Sequence, residues 1–269
     1  MQLQDEAGEL SAVELVDAEA EAPLLIICDH ASNRIPPHMG RLGLPPAELG
    51  RHIAWDIGAA SVCRRLVCRL GATAVMSTVS RLVIDCNRPP GHPTSICSVS
   101  DGTTVPGNQD LSSAEVASRT RRYFRPYHEA IRTQLNRLEK GGDTAMLVAI
   151  HSFTPVLGGQ ARPWEVGILW NRDPRLALPL IDALRADCGY NVGDNEPYSG
   201  RNSNYTVDLH GDAYGRPHVS IEIRQDQISD EAGAQYWGDL LAELLACRLA
   251  DPTGRRRRLF PPVVGRLAG

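Results

Sequence analysis

Residues 23 to 30 read Pro23-Leu-Leu-Ile-Ile-Cys-Asp-His30, an apolar run that ends in an acidic residue and a histidine. The run contains β-branched residues and is too continuous for a strand with one face in water. It therefore predicts a strand covered on both faces, of the kind found in parallel sheets flanked by helices. The polar pair that follows it is the first candidate for a functional site.

Three further apolar runs repeat this pattern, and helical patterns lie between them. The runs are Thr73–Val79 leading into Leu82–Ile84, then Met146–Ile150 and Val219–Ile223, and the helical patterns cover residues 57–70, 112–140, 174–188 and 230–249. The first three helical patterns are followed by glycine, which favours the left-handed end of a helix. Because each crossover helix must pack back onto the sheet, we predict an α/β fold, a three-layer αβα sandwich around a mostly parallel mixed sheet.

The size of the chain predicts one domain. With 269 residues, 42% of them hydrophobic, it is long enough to bury one large core. We expect a single domain over residues 1–269, with its core between about residues 13 and 249 and a flexible basic tail after it. The stretches 88–110 and 191–216 are rich in Gly, Pro, Ser and Asn and predict long loops, which often build active sites in such sheets.

The net charge and the sequences at the two ends of the chain indicate what kind of partner the protein binds. The net charge of -4 gives no general attraction to nucleic acid or to an anionic membrane, and the basic run Arg255–Arg258 is typical of a solvated tail. The first ten residues lack the pattern of a signal peptide, and no apolar run reaches the roughly 18–20 residues that cross a bilayer. We therefore expect a cytoplasmic protein with a small-molecule partner. Loops that bind nucleotide phosphates and the serine-hydrolase elbow are absent from the sequence.

Metal-binding side chains follow the predicted strands. His30 comes directly after the first run and His151 after the third, and the carboxyl ends of parallel strands line one crevice. A catalytic zinc normally takes three His, Asp or Glu ligands. The third ligand is predicted to be Asp56, although an acidic residue at a helix start also serves as an N-cap. His52, four residues earlier, is the rival ligand, and a single histidine at a strand end is often structural.

Glu222 is the predicted general base. It lies within an apolar strand, where a carboxylate is costly to bury without a role or a partner. Beside a metal, such a carboxylate can accept a proton from water and deliver it to the leaving nitrogen of an amide. The alternative is a buried salt bridge, for which Arg224, two residues along the same strand, is a poor partner.

Five segments together resemble a known family. They are Asp29–Pro36, His52–Ala59, Ser80–Pro89, His151–Pro155 and Glu222–Asp226. In this order they are similar to the N-formylglutamate amidohydrolase family, over about residues 13–249. One departure is Asp29-His-Ala-Ser32, where the formylglutamate deformylases tend to have a Pro-His-Ser/Ala-Gly type of segment, so the chain resembles the broader branch of the family.

The resemblance implies a phosphorylase/hydrolase-like fold related to carboxypeptidase A-like zinc hydrolases, with the metal above the sheet and a glutamate that activates water. His30, Asp56 and His151 match the metal positions, and Glu222 matches the catalytic acid/base. One zinc ion is the implied cofactor, with another divalent metal as the alternative. The resemblance also implies that Asn87 and Arg88 hold a carboxylate of the substrate.

Further candidates near these segments are arginines and one histidine. Arginine suits a carboxylate because its planar fork donates two parallel hydrogen bonds. Arg88 is the first choice and Arg201, in a polar loop, the second, while for these and for Arg81 and Arg224 the alternative is a salt bridge. His210 is predicted to polarise the substrate carbonyl or stabilise the oxyanion, with an ordering role for its loop as the alternative.

The predicted function is hydrolysis of the linear amide in an N-acyl amino acid, as in amino-acid catabolism. The leading substrate is N-formyl-L-glutamate, which would give formate and glutamate. The alternatives are another N-acyl amino acid or a small peptide with the same mechanism, or a metal-free binding protein that keeps only the fold.

Overall fold

The computed structural model describes residues 11–261, so the expectation about a signal peptide in the first ten residues lies outside the described part. The strands of the main sheet are β1 Val13–Val16, β2 Leu24–Cys28, β3 Thr73–Ser77, β4 Met146–Phe153, β5 Val166–Leu169, β6 Val192–Asp194 and β7 His218–Arg224. The helices are α1 Ala59–Leu70, α2 Ser113–Arg119, α3 Arg125–Leu138, α4 Ala177–Ala186, α5 Tyr205–His210 and α6 Glu231–Leu249. Shorter pieces are a helical turn, Pro46–Leu49, and two hairpins, Val99–Ser100 with Thr103–Thr104 and Val156–Leu157 with Gln160–Ala161.

The seven strands form one mixed sheet in the order β1-β3-β2-β4-β7-β5-β6. Strand β2 runs parallel to β3 and β4, β4 runs parallel to β7, and β5 runs parallel to β6. The antiparallel pairs are β1 with β3 and β7 with β5. The central strands β2, β4 and β7 therefore end at the same edge of the sheet.

Helices cover both faces of this sheet. Alternate residues of the central strands, such as Ile26 and Val148, pack against α1, α4 and α6 on one face. Their neighbours Ile27 and Leu147 pack against α3 and α5 on the other. Each of these side chains is fully buried and contributes about 1.5–3 kcal/mol through burial. The predicted αβα sandwich with a mostly parallel mixed sheet is confirmed.

The strand predictions are confirmed except at one point. Leu82–Ile84 is not a strand, because Ser80 begins a turn there. The N–H of Leu82 donates to Ser80 Oγ at 3.1 Å, and the N–H of Val83 donates to the Ser80 carbonyl at 2.9 Å. These apolar residues are buried in a second hydrophobic cluster beside the sheet, and not within the sheet as the sequence pattern predicted.

The helical pattern over residues 112–140 is one long helix with an irregular centre. Ser112 and Glu115 form a capping box at its start, and a π-helical segment, Thr120–Phe124, joins α2 to α3. Pro126 has no N–H to donate, which removes one regular hydrogen bond at this point. The predicted loop over residues 191–216 also contains β6 and α5, so it is more regular than the sequence indicated.

The basic run Arg255–Arg258 is largely exposed but tethered to the body of the protein. The N–H of Arg258 donates to the Gly215 carbonyl at 2.8 Å, and the Arg257 guanidinium pairs with Glu139. Among residues 11–261, no helix is both long enough and apolar enough to cross a membrane.

Candidate metal centre

The central strands bring His30, His151 and Glu222 to one edge of the sheet. His30 lies two residues beyond the end of β2, and His151 lies in the last part of the adjacent strand β4. Glu222 of β7 is the register partner of His151, so the two side chains leave the sheet on the same face. The predicted meeting of these strand ends is therefore present in the fold.

The loop before α1 delivers Asp56 to the same edge. The N–H of Asp56 donates to the His30 carbonyl at 3.0 Å, which ties the loop to the end of β2. Gly58 then turns the chain with φ of 82°, and a Cβ there would lie 2.1 Å from the Ile228 carbonyl oxygen. Gly58 is also the N-cap residue of α1, and no side chain caps this helix. The N-cap interpretation of Asp56 is therefore wrong.

His30, Asp56 and His151 form a compact cluster. Asp56 Oδ2 lies 3.1 Å from His30 Nδ1 and 2.8 Å from His151 Nδ1. The three side chains are buried, and one donor atom from each lies within 4.8 Å of the other two, an arrangement that could hold a metal ion. The rival His52 lies outside this cluster, with its Nε2 3.3 Å from Asp101 Oδ2.

Two further buried carboxylates contact the outer nitrogens of these histidines. Asp85 Oδ1 lies 2.8 Å from His30 Nε2, and Asp29 Oδ2 lies 3.2 Å from His151 Nε2 without the alignment of a hydrogen bond. A carboxylate that accepts from Nε2–H leaves the Nδ1 lone pair for a metal. Neither residue was assigned a role from the sequence, although Asp29 belongs to the polar pair after the first apolar run and Asp85 lies in one of the five quoted segments.

The charges of the cluster explain its shifted pKa values. Burial alone would lower the pKa of both histidines, but the neighbouring carboxylates raise it above the ordinary value, and for His151 well above. Burial alone would raise the pKa of Asp56, but His30 and His151 lower it below the ordinary range. The site therefore strongly favours positive charge at the two imidazoles, the chemistry of a site for a cation.

Within the described part of the chain, Glu222 forms no salt bridge. It is 7% exposed, and its Oε2 is buried without a hydrogen-bond partner among the described residues. Burial raises its pKa to about 7, although His151 opposes this shift. The predicted alternative partner, Arg224, instead pairs with Asp226, with Nε 2.7 Å from Oδ1. A carboxylate with a pKa near neutrality can both accept and donate a proton at physiological pH.

A small cavity of about 40 Å³ joins these groups. It is lined by His30, Asp56, Arg81, Asn87, Arg88, His151, Ser152, Tyr198, Ser203 and Glu222. The Asn87 side chain is held in place, because its Oδ1 accepts from the N–H of Thr206 at 3.0 Å. Arg88 Nη1 donates to the Asn87 carbonyl at 2.8 Å. The structure thus brings both residues of the predicted carboxylate pair to the metal cluster.

Two predicted site residues lie elsewhere. Arg201 is exposed and does not line this cavity. His210 lines a different cavity, where its Nε2 lies 2.9 Å from Nδ1 of His128, so the structure does not place it beside the substrate carbonyl. Arg81, for which sequence analysis offered a salt bridge as the alternative, does line the site and also pairs with Asp85.

Comparisons with known proteins agree with this fold. The sequence model of N-formylglutamate amidohydrolase matches residues 22–229. The solved structure of gene product Atu2144 from Agrobacterium tumefaciens is similar, with 37% identity, a TM-score of 0.86, and 89% of this chain and 95% of that one covered. N-formylglutamate amidohydrolase from Ralstonia eutropha JMP134 shares 21% identity with a TM-score of 0.64, covering 91% of this chain and 99% of that one. No curated protein sequence matches significantly.

Proposed function

The chain belongs to the N-formylglutamate amidohydrolase family, and from this premise we propose that it is a zinc-dependent hydrolase of N-acyl amino acids, with N-formyl-L-glutamate as its substrate. The observation that carries the proposal is the convergence of His30, Asp56 and His151 beside the unpartnered carboxylate of Glu222. Two histidines and one carboxylate are a ligand set of catalytic zinc sites.

The residues present fit a zinc ion. His30 and His151 would bind through Nδ1 and Asp56 through Oδ2, since these atoms already face one another. Asp29, Asp56, Asp85 and Glu222 are all buried there, and a divalent cation would offset their charge. When bound, the metal supplies Lewis acidity, which polarises a carbonyl and makes water more acidic.

Glu222 carries the proton in this proposal. Water attacks the amide carbonyl carbon, and the proton it loses passes to Glu222 Oε2, the unpartnered oxygen in the cavity. Glu222 then returns this proton to the leaving nitrogen as the carbon–nitrogen bond breaks. The products are a carboxylic acid, formate in the case of a formyl group, and the free amino acid.

The side chains that line the cavity favour an acidic amino acid as the substrate. Arg88 and Asn87 line the same cavity and supply hydrogen-bond donors for a carboxylate. Among residues 11–261, the Arg88 guanidinium has only the Asn87 carbonyl as a hydrogen-bond partner, so its fork remains available to a substrate.

A substrate panel tests this proposal. We expect release of formate from N-formyl-L-glutamate, with much slower hydrolysis of N-acetyl-L-glutamate and of N-formyl-L-glutamine. Faster hydrolysis of a longer N-acyl amino acid or of a small peptide would assign the site to that substrate. No hydrolysis of any amide by zinc-loaded protein would favour a binding protein instead.

The carboxylate receptor is tested by Arg88→Lys. An ammonium keeps the charge but cannot reproduce the two parallel hydrogen bonds of a guanidinium, so kcat/KM for N-formyl-L-glutamate should fall roughly tenfold or more. The defect should be smaller for the glutamine analogue if Arg88 holds the side-chain carboxylate. Arg201→Lys is the matched control, because Arg201 is exposed outside the cavity, and it should retain activity. Equal losses for both substrates would mean that Arg88 does not recognise that carboxylate.

A further inference from the structure

Four side chains at the metal centre form a closed ring of contacts. His30 Nδ1 lies 3.1 Å from Asp56 Oδ2, and Asp56 Oδ1 lies 3.5 Å from Arg81 Nη1. Arg81 Nη2 donates to Asp85 Oδ2 at 2.8 Å. Asp85 Oδ1 lies 2.8 Å from His30 Nε2, which closes the ring. Two members of the ring, His30 and Asp56, are also proposed metal ligands, through Nδ1 and Oδ2.

The backbone anchors the ring at two further points. The N–H of Arg81 donates to the Ala54 carbonyl at 3.2 Å, in the loop that carries Asp56. The N–H of Asn87 donates to Asp85 Oδ1 at 2.8 Å, which fixes the Asp85 carboxylate. The contacts therefore join the loop before α1, the segment after β3 and the end of β2.

We propose that Arg81 and Asp85 are a positioning pair, which holds the His30 imidazole and the Asp56 carboxylate with their metal-binding atoms aimed at one point. This inference rests on the proposed zinc-dependent function and adds to it the residues that orient two of the ligands. Asp85 accepts from Nε2–H of His30 and so selects the ring orientation that presents Nδ1. Arg81 holds Asp85 and Asp56 at once, because its planar fork carries donors in two directions.

The other half of the cluster has no comparable ring. His151 Nε2 is 3.2 Å from Asp29 Oδ2, and the two atoms are not aligned for hydrogen bonding. Asp29 is held by Thr206, whose Oγ1 donates to Asp29 Oδ1 at 2.7 Å, and no arginine is within salt-bridge distance of it among the described residues. The positioning pair thus makes the His30–Asp56 half the more constrained part of the site.

Charge and geometry make different predictions for Arg81. If Arg81 acted only through its charge, a lysine there would bind zinc as well as the parent does, and loss of positive charge would strengthen zinc binding. If Arg81 acts by holding two carboxylates, a lysine should weaken zinc binding although the charge is kept, because a single ammonium cannot reproduce the fork. The substitution Arg81→Lys therefore separates the two roles.

The experiment compares zinc affinity across variants freed of metal by a chelator. Zinc dissociation constants are measured by chelator competition, and melting temperatures are recorded with and without zinc. Asp85→Asn and Arg81→Lys should each weaken zinc binding by about tenfold to a hundredfold and reduce the rise in melting temperature that zinc produces. Arg224→Lys is the matched control, because Arg224 pairs with Asp226 away from the cavity, and its zinc affinity should equal that of the parent.

The outcomes separate this inference from the proposed function. A parent protein that binds no zinc would contradict the zinc-dependent function and the positioning pair together. A parent that binds zinc, with Asp85→Asn and Arg81→Lys binding it equally well or more tightly, would overturn the positioning pair alone. If Asp85→Asn does not fold without zinc, the zinc affinity of Arg81→Lys tests the positioning pair, because this variant keeps the positive charge beside Asp56 and Asp85.

Discussion

Two buried histidine pairs lie in this molecule at nearly the same ring separation, and their surroundings make them chemically opposite. The rings of His30 and His151 are 5.1 Å apart, and those of His128 and His210 are 5.2 Å apart. We call them the metal-centre pair and the second pair. All four histidines are less than a tenth exposed, so burial alone cannot distinguish the pairs.

The two pairs differ in their contacts with carboxylates. In the metal-centre pair, each histidine contacts carboxylates through both ring nitrogens, and these neighbours raise its pKa despite burial. In the second pair, His128 Nε2–H donates to the Cys86 carbonyl, which leaves Nδ1 to accept from His210 Nε2–H. Burial lowers the pKa of both, to about 3 for His210 with a further contribution from His128. Of the two pairs, only the metal-centre pair contacts the carboxylates that a cation site needs.

The largest expected effect separates the two pairs directly. His151→Ala removes one of three proposed ligands, so zinc occupancy should be lost and activity should fall on the order of a thousandfold or more. His210→Ala should keep zinc and most of the activity, while losing roughly 1–3 kcal/mol of unfolding free energy because His128 Nδ1 is left without its donor. Elemental analysis and kinetics on both variants check this. Full zinc in His151→Ala would remove this histidine from the metal site.

Glu222→Gln is expected to have the next largest effect, confined to turnover. The amide keeps the shape of the side chain but cannot take a proton from water, so kcat should fall about a hundredfold to ten-thousandfold. Zinc content and KM should change little, because the proposed ligands are untouched. Kinetics and melting temperature are measured on one preparation. Normal turnover in a less stable protein would show that Glu222 is a structural residue.

A smaller effect, on stability against pH, belongs to the second pair. The pKa of His210 is lower in the folded protein than its ordinary value of about 6.5. Above the pKa of the unfolded chain, such a histidine is neutral in both states and stability is at its full value. As pH falls below that pKa, the unfolded chain takes up a proton more readily than the folded protein, so stability is lost. The free energy of unfolding of the parent should therefore fall between pH 7 and pH 4.5. For His210→Gln this fall should be smaller by roughly 1–3 kcal/mol.

Urea unfolding of the parent and of His210→Gln at both pH values measures this difference. The control is His92→Gln, at an exposed histidine outside both pairs, which should follow the parent. Parallel stability curves for the parent and His210→Gln would show that His210 takes up its proton equally well in the folded and unfolded chain.

The sequence predicted the centre of the fold better than its edges. The long apolar runs of β2, β4 and β7 are buried on both faces and carry a strong pattern. The strands β1, β5 and β6 have only three or four residues each, too few for a period to be recognised. Residues 82–84 are equally apolar but fold as a buried turn, in which the N–H groups of Leu82 and Val83 donate hydrogen bonds to Ser80 instead of to a neighbouring strand.

The candidate site, like the fold, could be predicted from the sequence only where a regular pattern places the side chain. Residues at the ends of strong strands, such as His30 and His151, could be placed at one edge because parallel strands align there. Asp85 and Arg81 lie in an irregular segment, where no period indicates which way a side chain points. His210 follows a polar loop like the other candidates, but α5 turns it towards His128, so its ring lines a different cavity from the metal cluster. Contacts of this kind depend on tertiary packing.

The most direct test of the central claim is a zinc titration of the chelator-treated protein, followed by both calorimetry and release of formate from N-formyl-L-glutamate. We expect binding of one zinc ion per chain, no activity before zinc is added, and activity that rises in proportion to occupancy until one equivalent is bound. Full activity in protein shown by elemental analysis to contain no metal would contradict it.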